Sequence, residues 1–104
     1  MMVAEVNTRT DQLPVSVIIV NYNAGRLLAE CIHSALPSVS EVLVVDNASS
    51  DFSLELCGQR FSGEPKLKII RNTVNLGFAA ACNIGALQAT EPHLLFLNPD
   101  CILS

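Results

Sequence analysis

A chain of 104 residues, half of them apolar and 15% charged, is long enough for one domain with a modest core and too apolar for a disordered segment. A net charge of −4, with six scattered basic residues, excludes a nucleic-acid backbone as the main ligand, which would need clustered lysine and arginine. No apolar run approaches the ~20 residues of a membrane span, and so sparse a charge implies apolar surface that something else must cover.

In chain order, MMVAEVNTRTDQLP lacks the apolar stretch of a signal peptide, so residues 1–14 are expected to be a flexible tail and 15–104 the domain. VSVIIV (15–20) is a nearly unbroken β-branched run, the pattern of a strand covered on both faces. After Asn23, residues Leu27, Leu28, Cys31, Ile32, Ala35 and Leu36 recur at helical spacing until Pro37 stops the helix. EVLVVD (41–46) is a second strand, and Ser50 or Asp51 can cap a shorter helix carrying Phe52, Leu56 and Cys57. KLKII (66–70) is a third strand, followed by GFAAACNIGALQAT, an alanine-rich helix with a small face. HLLFL (93–97) reads as a fourth buried strand that delivers Asn98, Pro99 and Asp100 to its tip.

The strands begin roughly 26 residues apart, the length of a strand, a crossover helix and two short loops. The order β-α-β-α-β-α-β predicts a three-layer α/β/α domain around a mostly parallel, doubly wound sheet of about four strands. Cys31, Cys57, Cys82 and Cys101 contain no CxxC or CxxH pair, so they are expected to be reduced, buried, small hydrophobes in a cytoplasmic protein.

In such a sheet ligands bind beyond the C-terminal strand tips. Four segments gather there: NYN (21–23), DNASSD (46–51), RNTVNLG (71–77) and NPD (98–100). They supply an aromatic face, carboxylate and amide acceptors, and a cation, which together suit a nucleoside diphosphate. Turn chemistry alone also enriches such loops in Asn, Asp and Gly, so no single segment decides the matter. Asp46 closes an apolar strand, where it either caps its own turn through Ser49 or Ser50 or accepts from a base or ribose. Tyr22, the sole tyrosine, either lies on a base or packs across the sheet edge. Gly77 permits close approach of a ligand or a left-handed turn, and the helix start beside it favours a phosphate. Asn83, inside a helix, either faces water or orients something. Asp100 and Asn98 offer one carboxylate and one amide oxygen, enough for Mg²⁺ or Mn²⁺ if a diphosphate and waters complete the shell. His33 and His93 lack a neighbouring nucleophile elbow and are read as structural or solvated. No G-x-G-x-x-G or G-x-x-x-x-G-K-[ST] loop is present.

VSVIIVNYN, VLVVDNASSD, RNTVNLGFAAACNIGA and LLFLNPD, in that order and spacing, resemble the nucleotide-binding half of the family 2 inverting glycosyltransferases, and the rhamnosyltransferase-like members in particular. The resemblance covers residues from about 15 onward and implies the GT-A fold. By position it implies that Tyr22 lies against the base with Asn21 and Asn23 nearby, that Asp46 binds the base edge, and that Arg71, Asn75 and Gly77 border the nucleotide. It further implies that Asn83 lines the pocket and that Asp100 is the last acid of the D-x-D metal signature, whose first acid is here Asn98. The implied activity is transfer of a sugar, with rhamnose as the candidate, from a nucleoside-diphosphate sugar to a polysaccharide or lipid-linked acceptor at the inner face of a bacterial membrane. The general base is expected beyond residue 104, so the chain is expected to be an inactive donor-binding fragment of a longer protein that self-associates through its uncovered face. A non-catalytic module with the same fold is the alternative. A sugar nucleotidyltransferase would need a Gly-rich basic loop where NYNAGR stands.

Overall fold

Side chains of a strand point alternately to opposite faces, so an unbroken apolar run is stable only where both faces are covered. In the computed structural model, which describes residues 12–103, the two central strands meet that condition. The elements are β1 (Leu13–Asn21), α1 (Arg26–Ala35), β2 (Val39–Asn47), α2 (Ser53–Arg60), β3 (Leu67–Asn72), α3 (Phe78–Gln88) and β4 (His93–Leu97). The four strands form one sheet in the order β3-β2-β1-β4, and every pair is parallel.

Val17, Ile19, Val42 and Val44 pack with Leu28, Cys31 and Ile32 of α1 and Cys57 of α2 on one face. Ile18, Leu43 and Val45 pack with Ala81 of α3 on the other. This is the expected three-layer, doubly wound architecture. The third layer is close because α3 presents small residues: a Cβ at Gly85 would lie 2.6 Å from Ile18 Cγ2 and 3.2 Å from Val45 Cγ2.

The structure departs from expectation at four places. β4 was expected to be buried, yet Leu94, Leu95 and Phe96 are 42%, 36% and 45% exposed. The strand order puts β4 at a sheet edge, and among the described residues no helix follows to cover it. Cys82 and Cys101 are partly exposed, unlike the buried Cys31 and Cys57, though all four are free thiols. β1 opens at Leu13, whose N–H bonds the Ser38 carbonyl at 2.9 Å; residues 1–11 of the expected tail lie outside the described residues. The cap position of α2 is Phe52, with no side-chain cap. Asp51 acts from one residue earlier, its Oδ1 accepting the Ser53 N–H at 3.0 Å and hydroxyl at 2.5 Å.

At the N-terminal end of the sheet, Glu41 of β2 is 4% exposed and fully engaged. Its Oε1 accepts from Ser16 Oγ at 2.6 Å and the Thr90 N–H at 2.9 Å, and its Oε2 from Lys68 Nζ at 2.6 Å. The Glu91 N–H bonds Ser16 Oγ at 3.2 Å. This cluster fixes the connection from α3 into β4, and so helps set where the tip of β4 arrives.

Candidate functional site

The register sets Asn21, Asp46 and Arg71 in one row across the C-terminal ends of β1, β2 and β3. Asn21 and Asp46 are buried, Arg71 is exposed. Asn21 Nδ2 donates to Asp46 Oδ1 at 2.8 Å, and it also lies 2.9 Å from Ser53 Oγ and 3.1 Å from Ser49 Oγ. Asp46 Oδ1 accepts from Ser49 Oγ at 2.7 Å and Oδ2 from the Ser49 N–H at 3.0 Å. Asp46 therefore caps its own turn through Ser49, one of its two expected readings, and Oδ2 keeps a lone pair for a further donor. Asn21 Oδ1 is buried with no hydrogen-bond partner among the described residues.

A second set of bonds closes the β1–α1 loop onto the β2–α2 loop. Asn23 Oδ1 accepts the N–H groups of Ser50 and Asp51 at 2.8 and 3.2 Å, while the Asn23 N–H bonds Ser49 Oγ at 2.9 Å. Asp51 Oδ2 accepts the Gly25 N–H at 2.8 Å. Burial pushes the Asp51 carboxyl up, but the Ser53 hydroxyl and the Ser53 and Gly25 N–H groups outweigh it and hold the group below the usual range. Asn23 at φ 52° and Ala48 at φ 61° take left-handed conformations within this clasp. For Ala48 that conformation costs about 1–2 kcal/mol, a strain the surrounding hydrogen bonds sustain.

β1 runs to β2 and β3 on one side, and the chain then returns to place β4 on the other. The crevice at this switch lies between the tips of β1 and β4, where an open parallel sheet binds its ligands. A cavity of about 410 Å³ occupies that place. Val20 lines it from β1 and Tyr22 from just past that strand, Ala24 and Leu27 from the loop and helix beyond, and Pro99 and Asp100 from the turn after β4. Asn47 from the end of β2, Asn75 and Gly77 from the loop after β3, and Phe78 at the start of α3 complete the wall. Tyr22 is 55% exposed and Phe78 58%, so neither residue is consumed by the core.

Of the residues predicted from sequence, Tyr22, Asn75, Gly77 and Asp100 meet at this cavity. Asn21, Asn23 and Asp46 are not in its lining and belong to the hydrogen-bonded clasp between the β1–α1 and β2–α2 loops. Arg71 and Asn98 are exposed at their strand ends, and Asn83 is exposed about one and a half turns into α3, away from the cavity lining. Sequence reasoning missed Asn47 and Phe78. The available signal was the Asp-Asn pair at the end of a strand: alternation sends two successive polar side chains to opposite faces, so both cannot serve one turn.

The donor set for a metal is small. Among the described residues no three His, Cys, Asp or Glu side chains converge. Asp100, exposed at the cavity mouth with Asn98 two residues away, fits a divalent ion whose remaining positions are filled by phosphate oxygens and water, and does not fit a preloaded metal centre. The Asn98–Cys101 turn is seated on α1. Asn98 O accepts from the Cys101 N–H at 2.9 Å and from Cys31 Sγ at 3.6 Å, and Ser34 Oγ accepts the Leu103 N–H at 2.9 Å. Burial, with the nearby Cys101 and Asp100, pushes the Cys31 thiol up to about 11, so it stays protonated and can donate.

Comparison with known proteins places this geometry. Residues 16–104 match the model of "Glycosyl transferase family 2". Glycosyltransferase AglE of Haloferax volcanii is 37% identical over 98 residues, a match covering 88% of this chain and 32% of AglE. Among solved structures, the mannosyltransferase PcManGT of Pyrobaculum calidifontis, in complex with GDP-Man and Mn²⁺, superposes with a TM-score of 0.78 at 26% identity, over 88% of this chain and 28% of that one. S. aureus TarS in complex with UDP-GlcNAc superposes with a TM-score of 0.73 at 28% identity, over 83% and 26%. The chain thus spans about a quarter to a third of the length of these relatives. With the family model matched over nearly all of its length, this chain belongs to glycosyltransferase family 2.

Proposed function

We propose that the cavity between the tips of β1 and β4 holds the nucleoside-diphosphate part of an activated sugar, and that the whole protein transfers that sugar to a polysaccharide or lipid-linked acceptor. The observation that carries the reading is the meeting of Tyr22 and Asp100, 78 positions apart in sequence, in one cavity at the topological switch of the sheet. Tyr22 and Phe78 offer aromatic faces to a base, Asn75 and the Gly77 backbone border the ribose and phosphates, and Asp100 with Asn98 faces the diphosphate. Two structural relatives were solved with a nucleotide or sugar nucleotide together with Mn²⁺, which supports a metal arriving with the donor. When bound, such an ion offsets the charge that builds on the departing diphosphate. The acceptor site and the general base are assigned to the length the relatives have beyond this portion. Rhamnose is the sugar that the motif resemblance supplies, and four free thiols support a reducing compartment such as the cytoplasm.

The test is calorimetric titration of the chain with UDP, GDP and dTDP, with and without MnCl₂, alongside Tyr22 fluorescence. The chain has one Tyr and no Trp, so the signal reports the cavity alone. Binding tightened by Mn²⁺, with a change in Tyr22 emission, is expected, and a preference for dTDP would support rhamnose. Folded protein that binds none of the three would overturn the reading. A second reading, a non-catalytic module that associates through β4, draws on the exposed Leu94, Leu95 and Phe96 at an unpaired strand edge. It gains if Asp100→Ala leaves nucleotide affinity unchanged while sedimentation shows a dimer.

A further inference from the structure

Asn75, Gly77 and Phe78 line one wall of the cavity, on a turn exposed to solvent. Val74, Leu76 and Phe78 are 57%, 47% and 58% exposed, so no apolar side chain anchors this turn in the core. Gly77 adopts φ 87° and ψ 169°, a region closed to other residues, and its N–H is turned back onto Asn75 Oδ1 at 2.8 Å. Among the described residues, the side chain that ties the turn to the sheet is that of Asn47. Asn47 is 2% exposed at the end of β2. Its Nδ2 donates to the Gly77 carbonyl at 3.1 Å, and its Oδ1 accepts from the Leu76 N–H at 3.3 Å and from Asn72 Nδ2 at 2.9 Å.

We propose that Asn47 is a positioning residue for the donor site: its buried amide sets where residues 75–78, and with them Phe78, stand against the cavity. The claim rests on the donor-site reading above. An amide is required because the turn presents one donor and one acceptor to the same side chain. Asparagine matches both, while a carboxylate would set oxygen against the Gly77 carbonyl. A merely structural asparagine would stabilise the domain as a whole. A positioning one governs this turn and the ligand that touches it. Asn72 makes a third bond to Asn47 but none to the turn, so it serves as an internal control.

The experiment compares the wild-type chain with Asn47→Ala, Asn72→Ala and the remote core variant Cys57→Ala. Amide hydrogen exchange is read at Leu76 and at Val42 to Val45, and affinity is measured for whichever of UDP, GDP and dTDP binds the wild type most tightly with Mn²⁺. Asn47→Ala is expected to speed Leu76 exchange at least 10-fold beyond any change at Val42 to Val45, and to weaken nucleotide binding about 10-fold. Asn72→Ala should leave affinity within about twofold, as should Cys57→Ala despite its lower melting temperature. Unchanged Leu76 exchange, or faster exchange with unchanged affinity, would overturn the proposal. If the wild type binds no nucleotide, the donor reading itself falls, and Leu76 exchange alone then decides whether Asn47 sets the turn. Should Asn47→Ala not fold, Asn47→Ser, which keeps a short polar group, carries the same comparison.

Discussion

Glu41 stands at the end of the sheet remote from the cavity, yet the structure makes it a measurable part of the fold's stability. Burial pushes its carboxyl up, but the Lys68 ammonium, the Ser16 hydroxyl and the Thr90 N–H together overcome that and hold it at about 2, against an ordinary value of 4.5. A proton bound that much less readily in the fold than in the unfolded chain corresponds to about 3 kcal/mol. Lys68 is half exposed and water screens its share, so a loss of about 1–3 kcal/mol is expected when the charge is removed. Because the folded value is the depressed one, the contribution is complete above pH 4.5 and fades as the pH falls toward 2. Glu41→Gln keeps one oxygen for Ser16 and Thr90 but turns an amide N–H₂ toward Lys68. Urea unfolding followed by far-UV circular dichroism should show the variant less stable at pH 7, with the gap narrowing as the pH falls from 5 toward 2. Parallel losses across that range in both proteins would refute the argument, as would equal stability at pH 7.

Two further substitutions probe packing and backbone. Gly85→Ala gains about 1 kcal/mol of helix propensity but drives a Cβ to 2.6 Å from Ile18 Cγ2, and overpacking of this kind costs about 1–3 kcal/mol. A net fall in melting temperature is expected, partly relieved when Ile18→Ala is added; a rise would show that α3 can lift from the sheet without penalty. Ala48→Gly removes the strain of φ 61° and is expected to stabilise the chain by a few tenths to about 1 kcal/mol, less than the relief itself because glycine is freer when unfolded. Chemical denaturation measures it, and a loss of stability would mean that Ala48 is not strained where it stands.

The alternation of strands and helices was legible because an apolar run and a 3.6-residue period are local patterns. The exposure of β4 was not: HLLFL reads the same at the centre of a sheet as at its edge, and strand order is a property of the whole chain. The turn between Asp46 and Ser49 lies within four residues and could be read from them. The bond from Asn21 to Asp46 joins positions 25 apart, and it depends on a register that no local pattern states. Tyr22 and Asp100 were found because strand tips in a parallel sheet share an edge whatever the details of packing. Asn47 was hidden by a boundary error of one residue: with the strand ended at Asp46 it became another turn asparagine, whereas β2 continues through it and buries its amide. Phe78 was not singled out within the alanine-rich segment, although it stands at the helix start, exposed and lining the cavity.

The account turns on a nucleotide and its metal seating at the tips of β1 and β4, and paramagnetic broadening tests that most directly. With a nucleoside diphosphate present, substoichiometric Mn²⁺ should broaden the amide resonances of Tyr22, Gly77, Asn98, Asp100 and Cys101 first, and Asp100→Ala should abolish the effect. Broadening centred on Glu41 and Glu91 at the opposite end of the sheet, or broadening at the tips that survives Asp100→Ala, would contradict it.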